Sequence, residues 1–299
     1  MTASMAPASD SGIVRLTFGQ RLLRAWNRWI GPLLRYVVLV ALGVVFGFPF
    51  YWLVTTSLKV DTQLFVVPPV LFPDPIKWSN YPRLFEYLPF HLFILNTVAI
   101  TALTIGGIVF SCPLAAYSFA RLRWPARNTV FLGILATMML PEQVTMIPQY
   151  LLFSRINWID TWRPLWVPAW FGSAFYIFLL RQFFMTIPSE LEDAAKIDGA
   201  GYVTTYLRIM LPLVMPALTA VVVFTFIGSW NNFLGPLIYV NTTMKMPISL
   251  ALRLFQSLHD AEYGLMMAAS TIATLPIVIL FFFAQRYFIQ GIVLTGLKG

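Results

Sequence analysis

A chain of 299 residues, 59% hydrophobic and 11% charged, with a mean hydropathy of +0.75, is not an ordinary soluble domain, which carries about a quarter charged residues. Its net charge of +8 is scattered between apolar runs, so an asymmetry of Lys and Arg across a bilayer accounts for it better than nucleic acid does. The single cysteine, Cys112, excludes an internal disulfide and any cysteine-based metal cluster.

Residues 1–12 are small and polar and are expected to be disordered. From Ile13 to Arg35, Leu22, Trp26 and Leu33 share one helical face, while Arg21, Arg24, Arg28 and Arg35 cover the rest. That pattern suits a helix lying among lipid headgroups, so 1–35 reads as a cytoplasmic tail and basic amphipathic segment. The uncharged stretch 36–58 is the first predicted span, and the Pro- and aromatic-rich 59–86 an external loop.

A core of five further spans is expected over 87–288. The second span runs over 87–120 and ends at the basic turn Arg121–Arg127. The third starts near Thr129 and carries Pro141, Glu142 and Pro148, which predicts a broken helix. The fourth covers Leu165–Leu180, the fifth lies within 209–244, the sixth is 263–285, and 289–299 forms a short cytoplasmic tail. With the N-terminus inside, thirteen of the twenty Lys and Arg residues fall on that side, which predicts both termini cytoplasmic. A re-entrant third segment would invert everything after it.

Residues 185–212 form a charged island between the fourth and fifth spans. Glu190, Glu192, Asp193 and Asp198 sit on it beside Lys196. Ser189 and Glu192 have capping-box spacing, and Leu191, Ala194 and Ala195 follow on one face of the helix they open. Gly199 is placed to stop that helix in a left-handed conformation. Tyr202, Tyr206 and Ile209 give the next helix an apolar stripe, which Pro212 is expected to close. An elbow of this kind fits a groove on a soluble partner.

Two groups are candidates for a substrate path. Glu142 is the only acid inside an apolar span; it either faces protein or a water-filled cavity, or reaches the outer interface. Gln143, Thr145 and Gln149 add hydrogen-bonding groups beside it. Trp230, Asn231 and Asn232 interrupt the fifth span, and an aromatic face flanked by amides suits a sugar; helix–helix hydrogen bonding is the rival role. His91 and His259 lack ligand spacing, so no metal site is expected, and no spaced His, Cys or Ser set supports an enzyme.

The island also resembles the EAA signature of ABC importer permeases: Asp193-Ala194-Ala195, Gly199, then Ile209, Leu211 and Pro212 stand at the family's spacing, with Asp in place of the leading Glu. Tyr117–Arg123, Pro141–Pro148, Leu180–Phe184, Trp230–Pro236 and Gln285–Phe288 look like further blocks of the carbohydrate-importer branch, the maltose-type G and glycerol-phosphate-type E subunits. The resemblance implies an all-α membrane protein with six transmembrane helices and the type I importer fold, in the bacterial inner membrane. It implies a second permease subunit of the maltose-type F kind, two copies of an ATPase and an external solute-binding protein. The island would couple to the ATPase. No Gly-x-x-x-x-Gly-Lys-Ser/Thr occurs in the chain, so ATP and Mg would be used by the ATPase and no cofactor is expected on this chain. The rival to this reading is a proton-coupled secondary carrier using Glu142.

Overall fold

The computed structural model describes Trp26 and residues 31–257 and 262–296, and contains no strand among them. The expected disordered tail and most of the amphipathic segment lie outside the described residues, as do 297–299. The chain divides into two units, 1–52 and 53–299.

Helix α1, Gly31–Ser57, carries the first unit's apolar run and continues into the second. Its 27 residues reach roughly 40 Å at 1.5 Å per residue, enough to cross a bilayer core of about 30 Å.

In the second unit, α2 (Asn80–Tyr87) precedes the long α3 (Phe90–Arg121). Then come α4 (Arg127–Thr137), α5 (Glu142–Arg155) and the short α6 (Arg163–Trp166), which runs into a 3₁₀ turn over Val167–Phe171. Helices α7 (Ala174–Thr186) and α8 (Glu190–Ile197) lead to α9 (Tyr202–Trp230). The short α10 (Leu234–Tyr239), α11 (Ile248–Ala251) and α12 (Leu254–Ser257) precede α13 (Tyr263–Gly296). Residues 289–296, expected as a tail, prolong that last helix instead.

Helix α3 is the axis of this unit. Cys112, Ala116 and Tyr117 on one half of it pack with Leu180 and Phe184 of α7 and Met210 and Val214 of α9. Phe90 and Phe93, at its start, join Trp230, Ile248 and Leu265 in a second apolar cluster. Gly107 permits the closest approach: a Cβ there would stand 2.5 Å from Trp170 Cδ1 and 2.9 Å from the Trp170 backbone nitrogen. Trp170 Nε1 donates to the Leu103 carbonyl at 3.1 Å, and Ser111 Oγ to that of Ala169 at 3.3 Å, so the 3₁₀ turn lies flat on the helix.

The segment expected as the third span is broken, as Pro141 predicts: α4 and α5 form a pair bent by 97°. Its two ends attach to opposite ends of the unit. Arg127, opening α4, donates to the Leu122 carbonyl just past the end of α3. Beyond α5, Asp160 is held by the segment that follows α9. It accepts from the Asn241 and Thr242 backbone amides at 3.0 and 2.8 Å, from Thr242 Oγ1 at 2.7 Å and from Lys245 Nζ at 2.8 Å. The same segment meets the start of α3, where Asn96 Nδ2 donates to the Met244 and Met246 carbonyls.

Candidate functional site

The charged island folds as a bent rod at the end of α3 opposite Asn96. Ile187, preceding Pro188, is extended (ψ 131°), as a proline forces on its predecessor, and α7 stops there. Helix α8 then begins without the expected capping box. Ser189 has helical dihedrals and no side-chain cap; its backbone carbonyl accepts from the Glu192 and Asp193 amides at 3.0 and 3.1 Å. The physical reason is a stronger claim on Glu192. Its carboxylate turns inward to 3.8 Å from Arg121 Nε, with the two side chains only 13% and 12% exposed.

The helix stop is as predicted. Gly199 adopts φ +81°, its amide donates to the Lys196 carbonyl at 3.0 Å, and the Ala200 amide donates to that of Ala195 at 2.8 Å. This pair of bonds is the Schellman arrangement, which satisfies carbonyls a helix end leaves open. A Cβ on Gly199 would meet nothing within 4 Å, so backbone conformation alone selects glycine.

The alanine pair divides its duties. Ala195 is buried against the chain's own core, whereas Leu191 and Ala194 face outward, correcting the single face expected of the three. Glu190, Asp193, Lys196 and Asp198 are exposed. Asp193 pairs with Lys196 at 3.0 Å, and the Asp193 carboxylate raises the ammonium's pKa. Ile197 is 87% exposed and, with Leu191, Tyr202 and Val203, leaves an apolar edge beside these charges.

The second arm departs from expectation at Pro212. Rather than closing a helix, it lies inside the continuous run Tyr202–Trp230. A π turn over Tyr206–Met210 precedes it, and the wider turn makes room for a ring that has no N–H to donate. Of the expected stripe, Tyr206 is buried, its ring tilted against that of Tyr117 at 5.2 Å between centroids; Ile209 is half-buried, and Tyr202 points out. A groove of about 940 Å³ opens between the rod and the basic turn, lined by Tyr117, Arg121, Arg123, Arg127, Glu192, Lys196 and Tyr202 among others.

The substrate-path candidates are not gathered into one site. Glu142, Gln143 and Gln149 are exposed on α5, with Thr145 half-buried and donating to the Glu142 carbonyl at 3.0 Å. Trp230 is buried, stacked on Phe226 at 5.2 Å, and its Nε1 donates to the Ala273 carbonyl of α13 at 3.0 Å. Asn231 Nδ2 donates back to Ile227, while Asn232 Oδ1 accepts from the Gly235 amide and its carbonyl from Ser249 Oγ. Trp230 and Asn231 do border a cavity of about 290 Å³ with Phe233, Ser249, Ser270 and Thr274. Ser249, Ser270 and Thr274 escaped the sequence reading, because single hydroxyls in apolar helices look like ordinary helix–helix contacts. Among the described residues, no three His, Cys, Asp or Glu side chains converge on a metal position.

Comparison with known proteins fits this geometry. Residues 107–293 match the model of the family described as binding-protein-dependent transport system inner membrane component. The chain is 34% identical over 267 residues to the sn-glycerol-3-phosphate transport system permease protein UgpE of Yersinia enterocolitica, covering 86% of this chain and 94% of that one. It is 31% identical to the arabinooligosaccharides transport system permease protein AraQ of Bacillus subtilis (86% and 92% covered) and 30% to the lactose transport system permease protein LacG of Rhizobium radiobacter (90% and 98%). A chain of a bacterial ABC transporter that imports the acidic polysaccharide alginate superposes with a TM-score of 0.77 at 22% identity, over 87% of this chain and 96% of that one. The protein is an inner membrane transport component, and it belongs to the binding-protein-dependent transport system family.

Proposed function

We propose that this chain is one of two different permease subunits of an ABC importer for a carbohydrate or a related polyol or glycerol-phosphate compound. Two copies of a separate ATPase, using Mg and ATP, drive it, and an external solute-binding protein delivers the cargo. The observation that carries the reading is the bent rod. A Schellman stop at Gly199 holds exposed Glu190, Asp193, Ala194, Lys196 and Asp198 beside an apolar edge, a form suited to a cleft on a soluble protein. The similar relatives bear the names of glycerol-phosphate, arabinooligosaccharide and lactose systems, which supports that cargo class.

In this reading six helices cross the membrane, counting each bent pair as one span, with 1–35 and 289–299 cytoplasmic and 59–86 outside. The attachment of α4–α5 to opposite ends of α3 supports a crossing rather than a re-entrant third segment. Ile209 and Pro212 tie the rod to the fifth span. Glu142, Gln143, Thr145, Gln149, Trp230, Asn231 and Asn232 are proposed to border the path. The cavity at Trp230 is the better-formed part, since Ser249 and Thr274 spend their protons on backbone carbonyls and leave acceptors for a ligand's hydroxyls.

Purification of the intact complex from its source, with a photo-crosslinker at Ala194, tests the reading. An ATPase captured at that position and a sugar- or polyol-loaded binding protein among the companions are expected. Capture of no ATPase, or uptake by this chain alone that collapses with the proton gradient, overturns it.

A further inference from the structure

We propose that Arg121 is the strut that joins the rod to α3, so that displacement of the rod by the ATPase is passed into the membrane rather than lost at the Pro188 break. The inference rests on the docking reading above and assigns a positioning role to a residue outside the EAA-like stretch.

Arg121 is the last residue of α3, yet its partners are 63 to 71 positions further along the chain. Nε and Nη2 donate to the Phe184 carbonyl at 3.1 and 2.6 Å, and Nη2 also donates to that of Ile187. Nε lies 3.8 Å from Glu192 Oε1. One guanidinium therefore touches the end of α7, the extended linker and the first turn of α8.

Helical continuity between α7 and α8 ends at Pro188, and the two helices meet at 75°. The backbone cannot act as a stiff rod through such a corner, because no i→i−4 bond crosses it. The guanidinium bypasses the corner. It is planar and rich in donors, so it can hold several acceptors in one geometry.

Glu192 makes separation costly. Its Oε1 is buried and has no hydrogen bond, so the Arg121 charge is its compensation. Drawing the rod away from α3 gives up this attraction at a site where both side chains are largely shielded from water, so the pair is screened little. Asp193 and Lys196 form a contrast: their pair is exposed and internal to α8, so it connects the rod to nothing else.

The test compares ATP hydrolysis by the complete complex in nanodiscs, supplied with Mg-ATP, with and without its co-purified binding protein. A residue needed only for folding lowers both rates together, in step with the amount of complex. Loss of the strut changes their ratio. Arg121→Ala is expected to bring the stimulation ratio to about one while the Ala194 crosslink to the ATPase stays within twofold of wild type. Arg121→Lys, which keeps the charge but not the fork, should give an intermediate ratio. If Arg121→Ala fails to assemble, Glu192→Gln decides, since it leaves both carbonyl contacts in place; a reduced ratio supports the strut. A normal ratio in a crosslinking-competent Arg121→Ala complex, or in Glu192→Gln when that is the deciding variant, overturns the strut. A missing crosslink in the wild type overturns the docking reading itself, and the strut with it.

Discussion

At Gly199 the demand on the residue is purely conformational, which makes the effect of substitution predictable. Gly199→Val puts a β-branched side chain at φ +81° and should cost roughly 1–2 kcal/mol of local stability, unravelling the stop. Transport in cells should fall at unchanged expression, whereas Gly199→Asn, which tolerates that backbone region, should keep most of it. Asp160 offers a test through pH. Its hydrogen bond from Lys245, followed by those from Thr242, holds its carboxyl well below the usual carboxylate range. A depressed native pKa adds stability above the unfolded value of about 3.9 and loses it as pH falls through the native one. Asp160→Asn should therefore lower the unfolding midpoint at pH 7, with the gap from wild type closing below about pH 4. A gap that persisted at acid pH would assign the effect to shape rather than charge.

At the scale of elements, the crossing of the 3₁₀ turn over α3 depends on the bare backbone of Gly107. Gly107→Ala has to displace the Trp170 ring and backbone together, and overpacking of this kind costs about 1–3 kcal/mol. The purified complex should melt at a lower temperature, while Gly133→Ala, whose Cβ would meet nothing within 4 Å, should not. The elements themselves were largely legible in the sequence. Runs without charge marked the long helices, Pro141 marked the break, and Gly199 marked the helix stop. What escaped was what depends on distant neighbours. Ser189 and Glu192 have capping-box spacing, but nothing local announces that Arg121 stands beside Glu192 and wins its carboxylate. Pro212 reads as a stop for the same reason: the π turn that accommodates it has no sequence mark of its own.

For the whole molecule, composition gave the membrane class and the quoted blocks gave the family. The candidate site was only half legible. The rod's extent and its Gly199 stop could be traced, though not its cap, its buried face or the place of Pro212, whereas the path residues of α5 and those near Trp230 could not be related to one another without coordinates. More than half of the most apolar window of α3, and of α9, is not buried within the chain (39% buried in each), which leaves surface for a bilayer and for the second permease subunit proposed above. A six-span topology sets a simple expectation for impermeant thiol reagents, because the one native cysteine is buried. Cysteine at Met244 should react from outside intact cells and cysteine at Val203 only after permeabilisation. The reverse pattern would invert the assignment of sides.

The π turn between the rod and the fifth span acts as a spacer of one residue. Successive positions on an α-helix are turned by about 100°, so that single residue sets the compass bearing of the rod around the axis of α9. Adding one alanine after Met210 should swing the rod by about 100°, and the Ala194 crosslink to the proposed ATPase should disappear.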